Sequence, residues 1–433
     1  MMKIGEKLEK AHEYIVNSYY ISDENLNLNG RKWNDVVLFS LITGLNNGRQ
    51  LILGTPGTGK TTVAEIVTSI LGGYEPGFVQ SCTLDGHRDL TQEKIFGRPD
   101  LGELNKGNEK VIWSFFAKFP GSKIVDEINR IPEGGQNILL NSIDRGIFKY
   151  LNETLYCRVP FYATANYPDR GTYPLIQPLS DRFDICVECT PSVGSTFFYE
   201  SAEKNKQFLI DERIRRNMIR SLEENDFEKL NELTEEYRTK LKENGIPTFN
   251  AEEISKFKEV HKNIKFNGES ELFLAVFFDD VNAIIKTLED NSKRMHDCYK
   301  NFPVGIIENN LSYRWLNGVK KYCKVIASIL GKKNVDIEIL RKVMPYSLAH
   351  RITVSDEYIQ NNLKYEFYPG SQIRYVSKKI VEDFFRDFYE KIDVYRDFYG
   401  ALFNRDSRTM KELANKYDLP AIRSKYYGKT YSI

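Results

Sequence analysis

Long apolar runs are missing from this chain: nowhere do the ~18 uninterrupted apolar residues of a bilayer span occur. The opening, Met1-Met2-Lys3-Ile4-Gly5-Glu6, has no secretory apolar core either, so a cytosolic protein without a membrane partner is expected. Cysteine is scarce, with 6 scattered through 433 residues, which excludes a disulfide framework and suits a reducing compartment. Cys186 and Cys189 form a C-x-x-C with no second pair and no histidine nearby; on a strand their thiols would face opposite sides, so no metal is expected there. Net charge is absent too: 61 basic against 60 acidic residues leave +1, which excludes bulk attraction to DNA or anionic lipid. No internal repeat or low-complexity segment interrupts the chain. What is present, 41% hydrophobic residues over this length, is enough to bury cores in two or three domains.

Against that ordinary background one motif stands out. Gly54-Thr55-Pro56-Gly57-Thr58-Gly59-Lys60-Thr61 is a G-x-x-x-x-G-K-[ST] loop, preceded by the strand-like Leu51-Ile52-Leu53 and followed by a helix opening at Thr61-Thr62. Its glycines let consecutive backbone N–H groups turn inward around a polyphosphate, and the helix adds the positive end of its dipole. Lys60 can then reach the β- and γ-phosphates. The Thr61 hydroxyl can ligate Mg²⁺.

The rest of the chain alternates strands with helices. A helical stretch over residues 4–19 and a polar turn region at 22–30 precede an apolar helix over 33–43. After the loop come a helix at 61–71, a short strand candidate at 78–82 and a Gly-rich stretch at 96–107. Strands are expected at 122–127, 159–165 and 183–189. This order implies an α/β, mainly parallel sheet with its chemistry at the carboxyl ends of the strands. Residues 201–245 read as a charged helical arm, with Phe208, Ile214, Met218 and Leu222 at helical spacing. Amphipathic helices return over 246–350. In the tail from Asp356, aromatics and bases interleave, as in Phe384-Phe385-Arg386-Asp387-Phe388-Tyr389. That pattern fits helices in a small docked domain better than a stacking platform for single-stranded nucleic acid.

Asp126-Glu127 closes one of the expected strands. One carboxylate can hold hydrated Mg²⁺ and its neighbour can polarise the attacking water. Asn166 closes another strand about 40 residues later and has an amide able to position that water without adding charge.

With these residues the chain resembles the MoxR branch of the AAA+ ATPases. Asp126-Glu127-Ile128-Asn129-Arg130, Gly171-Thr172-Tyr173-Pro174-Leu175 and Ser180-Asp181-Arg182-Phe183 match that family's motifs in order, and residues 311–314 and 343–352 resemble its helical lid. The resemblance covers roughly residues 30–190 and 246–355. It implies a P-loop AAA+ core at 31–190, an N-terminal helical segment at 1–30 and a lid at 191–355 carrying the charged insertion. Residues 356–433 form an α-rich C-terminal extension. It further implies that Gly54 to Thr62 with Asp126 bind ATP, that Thr61 and Asp126 serve the metal, and that Glu127 activates water. Asn166 would be sensor 1, Arg182 an arginine finger reaching a neighbouring subunit, and Arg314 sensor 2. Arg130 is expected to be structural. Tyr313 stands where the family has proline, and Asn141 where it has an acid.

Two family insertions are expected at residues 92–112 and in a β-hairpin at 147–157 with Asn152-Glu153 at its tip. The implied function is a ring-forming ATPase, hexameric, that uses ATP and Mg²⁺ to remodel or mature a protein client. That client would be a separate protein carrying a von Willebrand A domain. A nucleic-acid-dependent motor of the same clade is the alternative, disfavoured by the acidic and amidic hairpin tip.

Overall fold

The structure, a computed structural model, describes residues 4–19, 21, 25–190, 210–283, 299–362 and 371–427. Phe208 of the arm lies outside the described residues. The chain divides into two compact units, residues 1–263 with 328–330, and residues 264–327 with 331–433.

The first unit opens with helix α1 (Ile4–Ser18) and a hairpin of β1 (Asn25–Leu28) and β2 (Arg31–Asn34). Asn29 and Gly30, both at positive φ (52° and 80°), make the tight turn where only a polar turn region was expected. Helix α2 (Asp35–Asn46) starts at an Asn34 side chain that accepts from the Val37 amide, and its residues are buried on all sides.

The central sheet follows. Strands β3 (Arg49–Gly54), β4 (Leu84–Asp85), β7 (Lys123–Asp126), β10 (Phe161–Ala165) and β11 (Ile185–Cys189) lie in the order β11-β3-β10-β7-β4, every pair parallel. Leu51, Val125, Ala163 and Cys186 are sealed in its core. Near-continuous apolar strands of this kind require helices on both faces. The register pairs Ala165 with Leu53, Asp85 with Asp126 and Cys189 with Gly54, so the phosphate loop, the acidic pair and Asn166 emerge at one edge. Helix α3 (Lys60–Gly72) leaves that edge.

The segment expected as a strand at 78–82 is helix α4 (Pro76–Ser81). Pro76 sits in its first turn, and the buried Glu75 side chain caps it by accepting from the Phe78 amide at 3.0 Å. The strand comes later, at Leu84–Asp85. The two stretches expected as insertions hold small elements: α5 (Gln92–Phe96), β5 (Gly97–Pro99), α6 (Leu101–Leu104), β6 (Val111–Trp113), and the hairpin β8 (Ile147–Tyr150) with β9 (Glu153–Tyr156). Between them lie α7 (Phe115–Lys118) and α8 (Glu133–Arg145), and α9 (Gln177–Ser180) precedes β11.

The charged arm is a helical hairpin, Glu212–Glu223 with Phe227–Glu243, anchored to the rest of its unit. Ile214, Met218, Leu222, Leu230, Tyr237 and Leu241 are buried. Arg215 grips Glu75 with two nitrogens at 2.9 and 3.0 Å, and Lys118 donates to the Leu222 carbonyl at 2.6 Å.

Among its described residues the second unit is helical apart from the two-residue pairing of Lys265–Phe266 with Asn334–Val335 and an isolated antiparallel bridge between Ile307 and Val354. Its centre is aromatic. Phe273 on helix Gly268–Val281 packs edge-on against Phe384 and Phe388 of helix Ser371–Glu390, at 5.2 and 5.0 Å between centroids. The indole of Trp315 donates to Ser347 at 3.0 Å. The tail aromatics Phe384, Phe388, Tyr395 and Phe398 are therefore core residues.

Candidate active site

The loop between β3 and α3 is shaped by backbone. Gly57 and Gly59 both sit at φ 79°, a conformation side chains resist, and nothing lies within 4 Å of where a Gly57 Cβ would stand. Thr58 donates to the Thr55 carbonyl at 2.8 Å and braces the turn, leaving Pro56 and Gly57 exposed at its apex. Gly54 passes so close to β11 that a Cβ would stand 2.5 Å from the Cys189 carbonyl.

Lys60 is buried, with Nζ donating to the carbonyls of Gly54 and Thr55 at 3.0 and 2.8 Å and to Oδ1 of Asn166 at 3.0 Å. Burial lowers its pKa, opposed by the negative groups around it, Asp126 and Glu127 among them. Thr61 donates to Oδ1 of Asp126 at 2.6 Å. Thr62 follows, half-buried, in the first turn of α3.

The acidic pair is locked from several sides. The Thr164 hydroxyl donates to Oδ1 of Asp126 and accepts the Glu127 amide at 2.9 Å. Glu127 itself lies at φ 48°, ψ 48°, a left-handed conformation costing a non-glycine residue of the order of 1 kcal/mol or more, held here by its surroundings. Its carboxylate receives the Asn166 amide at 2.6 Å on Oε1 and faces Arg130 Nε at 2.6 Å on Oε2. Asn129 and Asn166 exchange amide and backbone hydrogen bonds at 2.9 and 3.2 Å. Five of the expected residues, Lys60, Thr61, Asp126, Glu127 and Asn166, are thus joined in one hydrogen-bonded cluster.

Several members escaped the sequence reading. Asp85 lies beside Asp126 in the sheet, and burial with the charges of Asp126 and Glu127 raises its pKa. Glu65, one turn into α3, is pushed up to about 7, first by burial and then by Asp126 and Asp85. Thr164 gave no signal beyond its place in an apolar strand. Arg130, expected to be structural, has its guanidinium on Glu127.

One expected residue of the same unit, Arg182, stands outside this cluster. Arg182 follows α9, where its guanidinium donates to the carbonyls of Leu140 at 3.1 Å and Pro178 at 2.6 Å and lies 4.0 Å from Asp144. Arg314 is exposed on the first turn of helix Tyr313–Ile329, in the second unit. The two insertions are tied to each other: Glu153 accepts from the Val111 amide at 2.9 Å and the Trp113 indole at 3.1 Å, and Gln92 donates to the Lys149 carbonyl at 3.1 Å. Asn141 lines a cavity of about 340 Å³ with Gln92, Ile147 and Lys149.

The donor set suits Mg²⁺: a hydroxyl and a carboxylate, hard oxygens that leave the remaining positions to water and phosphate. Among the described residues no group of three or more His, Cys, Asp or Glu is arranged to hold a metal by itself. Cys186 and Cys189 are both buried free thiols. Among the described residues no helix is long and apolar enough to cross a membrane.

A glycine loop closed on a lysine, beside a strand-end acid pair in a five-stranded parallel sheet, is matched by one family description, the AAA domain of the dynein-related subfamily, over residues 50–183. These residues form an AAA domain. The α/β fold of the chain is that of a P-loop AAA+ protein, with a helical C-terminal region. Among solved structures, the chain resembles a candidate ATPase from Cytophaga hutchinsonii ATCC 33406. The identity is 15% and the TM-score 0.58, covering 88% of this chain and 94% of that one. A full-length MCM homolog from Methanopyrus kandleri matches at 13% identity and TM-score 0.43, covering 81% of this chain and 62% of that one. None of the curated proteins matches the sequence. At 15% identity the likeness to the Cytophaga hutchinsonii structure is one of fold.

Proposed function

We propose that the AAA domain hydrolyses ATP and that the chain works as a ring-forming ATPase, hexameric as MoxR-type proteins are, remodelling or maturing a protein client. The observation that carries the reading is the bonded cluster of Lys60, Thr61, Asp126, Glu127 and Asn166. The loop amides and Lys60 would hold the triphosphate, and Thr61 with Asp126 would hold Mg²⁺. Bound there, the metal would supply charge neutralisation for the phosphoryl group being transferred. Glu127 takes the proton of the attacking water, and Asn166 keeps that water and the carboxylate in register. Lys60 frees its ammonium for phosphate by giving up two loop carbonyls, which a triphosphate outcompetes in charge.

A ring is favoured because Arg182 is bonded to Leu140 and Pro178, away from the cluster, and would serve a neighbour's site. The linked insertions present exposed Leu101, Leu104, Leu151 and Tyr156, a surface suited to an apolar stretch of client chain. The client inferred from the MoxR resemblance is a protein with a von Willebrand A domain.

The test is ATP turnover by the purified chain with Mg²⁺ and with chelator, alongside Glu127→Gln. Turnover that needs the metal and disappears in the variant while nucleotide binding persists is expected; unchanged turnover in Glu127→Gln would remove this residue as the base. A client is sought as what co-purifies with the variant. Large, salt-sensitive stimulation by DNA would replace the client reading with a nucleic-acid motor.

A further inference from the structure

The first unit holds a cavity of about 360 Å³ at the edge of the sheet opposite the Lys60 cluster. Ser122 and Pro160 in its wall immediately precede β7 and β10, whose far ends bring in Asp126 and Asn166. Helix α3 joins the two regions. Lys60 starts it in the cluster, and Thr68 and Gly72 near its other end line the cavity, with Gly72 about 18 Å from Lys60 at 1.5 Å per residue. Small-molecule sites take up roughly 300–1,000 Å³, so the space is adequate for one.

Charge of one sign surrounds it. Arg158, Arg238 and Lys258 line the cavity, and among the described residues no Asp or Glu does. Arg238 is partly engaged, since Nη2 donates to the Gly72 carbonyl at 2.8 Å and Nη1 pairs with Glu235. Lys258 is not neutralised: its Nζ donates to Oδ1 of Asn47 at 2.9 Å, while burial and then Lys262 lower its pKa. Glu252 and Glu253 on the same helix, Ala251–Lys262, pair instead with Lys256 and Lys7. Arg158 is exposed and has no ion-pair partner among the described residues. Thr68 adds a separate observation: it is 2% exposed, lines the cavity, and its hydroxyl has no hydrogen-bond partner in the protein. A buried hydroxyl in that state is one that a ligand oxygen can satisfy. Tyr74 supplies a fixed ring in the wall. A Cβ on Gly72 or Gly121 would stand 2.4 or 2.9 Å from its carbons, and it meets Phe119 edge-on at 4.8 Å.

We propose that this cavity is a second anion site, which takes a small molecule carrying phosphate through Arg158, Lys258 and the Thr68 hydroxyl, with the Tyr74 ring against the rest of the ligand. Phosphate suits the donors better than a carboxylate does. A monocarboxylate balances one cation, whereas a phosphate brings up to two negative charges and three acceptor oxygens, and a guanidinium can hold two of those oxygens at once. Arg238 adds charge while its bond to Gly72 keeps the wall in place. Like charges lining a concave site focus the potential there and draw in an anion. None of Lys60, Thr61, Asp126, Glu127 and Asn166 takes part, so the site is independent of the ATPase reading.

The experiment is titration calorimetry of the full chain with inorganic pyrophosphate at low salt. Because the phosphate loop would also take pyrophosphate, every protein carries Lys60→Ala: that chain alone, then with Arg158→Gln, with Lys258→Gln, and with both. Binding to the Lys60→Ala chain is expected, weakened about 5-fold or more by either substitution and about 20-fold or more by the pair, and falling as salt is raised. No binding to the Lys60→Ala chain, an affinity that the pair leaves unchanged, or sulfate binding as tightly as pyrophosphate at equal ionic strength would each overturn the inference. Vesicles of phosphatidylcholine and phosphatidic acid form a second arm, and vesicle binding without pyrophosphate binding would overturn the small-molecule assignment in favour of a lipid headgroup. Should Lys258→Gln fail to fold, the exposed Arg158→Gln decides alone, and unchanged affinity there overturns the proposal. Absence of ATP turnover in the wild type would bring down the ATPase reading and leave this one standing, since anion binding is read in a chain without its phosphate-loop lysine.

Discussion

The ammonium of Lys60 stands 3.0 Å from the side-chain oxygen of Asn166, joining the phosphate loop to the end of a strand 106 residues further on. The same asparagine donates its Nδ2 to Glu127. It therefore sits between the group that would hold phosphate and the group that would take the proton, and the two substitutions at this contact should have separable effects. Lys60→Ala is expected to weaken ATP binding by 10-fold or more, since the loop loses its one mobile cation. Asn166→Ala should keep binding within a few-fold and lower kcat by about 10²-fold, through loss of water and carboxylate orientation. Titration calorimetry with a slowly hydrolysed ATP analogue and steady-state turnover separate these outcomes. Equal loss of binding in both variants would mean that Asn166 serves only to place Lys60.

Arg182 should act across a subunit boundary. Removing an arginine finger costs about 10³-fold in related phosphoryl transfers, so Arg182→Ala alone should be nearly inactive while binding ATP normally. Mixed with Glu127→Gln, it should regain turnover, because each variant then supplies what its neighbour lacks. Turnover in the mixture is the measurement; full activity of Arg182→Ala alone, or no recovery in any mixture, would leave Arg182 with its observed role of tying α8 to α9 through the Leu140 and Pro178 carbonyls.

Gly86 tests the acidic turn from the outside. Its amide donates to the Asp126 carbonyl at 2.8 Å, and a Cβ would lie 2.3 Å from the Glu127 carbonyl oxygen and 2.8 Å from that of Asp126. That carbonyl belongs to a residue already in a left-handed conformation, so the backbone has little freedom to yield. Gly86→Ala should lower stability by about 1–3 kcal/mol and reduce turnover more than nucleotide binding. Gly134→Ala is the matched control: nothing lies within 4 Å of its Cβ position in α8, and the change should be neutral or stabilising by up to about 1 kcal/mol. Thermal unfolding of both variants checks the contrast, and equal effects would discount the clash.

The parts of the site that could be read from sequence are those that depend on chain-local pattern. Residues 54–61 carry their own conformation in glycine, and Asp126-Glu127 and Asn166 each follow an apolar run that could only be a buried strand. Their meeting required only parallel order in the sheet. Asp85, Glu65 and Thr164 were not legible because their roles come from register and burial. Asp85 becomes part of the acidic cluster only when β4 pairs beside β7, and nothing in its two-residue strand announces that. The helix at 76–81 has a local cause: Phe78 and Val79 look like strand, but Glu75 and Pro76 supply a cap and a first turn, and Arg215, paired with the buried Glu75, holds them there. Asn29-Gly30 was a hairpin signal overlooked among polar neighbours.

His12, outside the active-site cluster, gives the fold a pH dependence of its own. It is 5% exposed on α1, stacks edge-on against Trp33 at 4.8 Å, and accepts the Asn34 amide at Nε2 from 2.9 Å, so only the neutral ring fits. Burial, helped by Arg31, lowers its pKa from 6.5 to about 4. The folded pKa is therefore below the unfolded one, and the unfolded chain takes up the proton first. The contribution is complete above about pH 6.5, declines as pH falls, and is gone near pH 4; over that window it amounts to about 3 kcal/mol. Other carboxylates titrate in the same range, so the informative quantity is a difference. His12→Gln can still accept the Asn34 amide but cannot charge, and wild type should lose stability relative to it as pH is lowered from 7 to 4.5. Denaturant unfolding of both proteins at several pH values measures this. A difference that stays flat across the window would show that the His12 ring is protonated in the fold, with its Nε2 no longer accepting from Asn34.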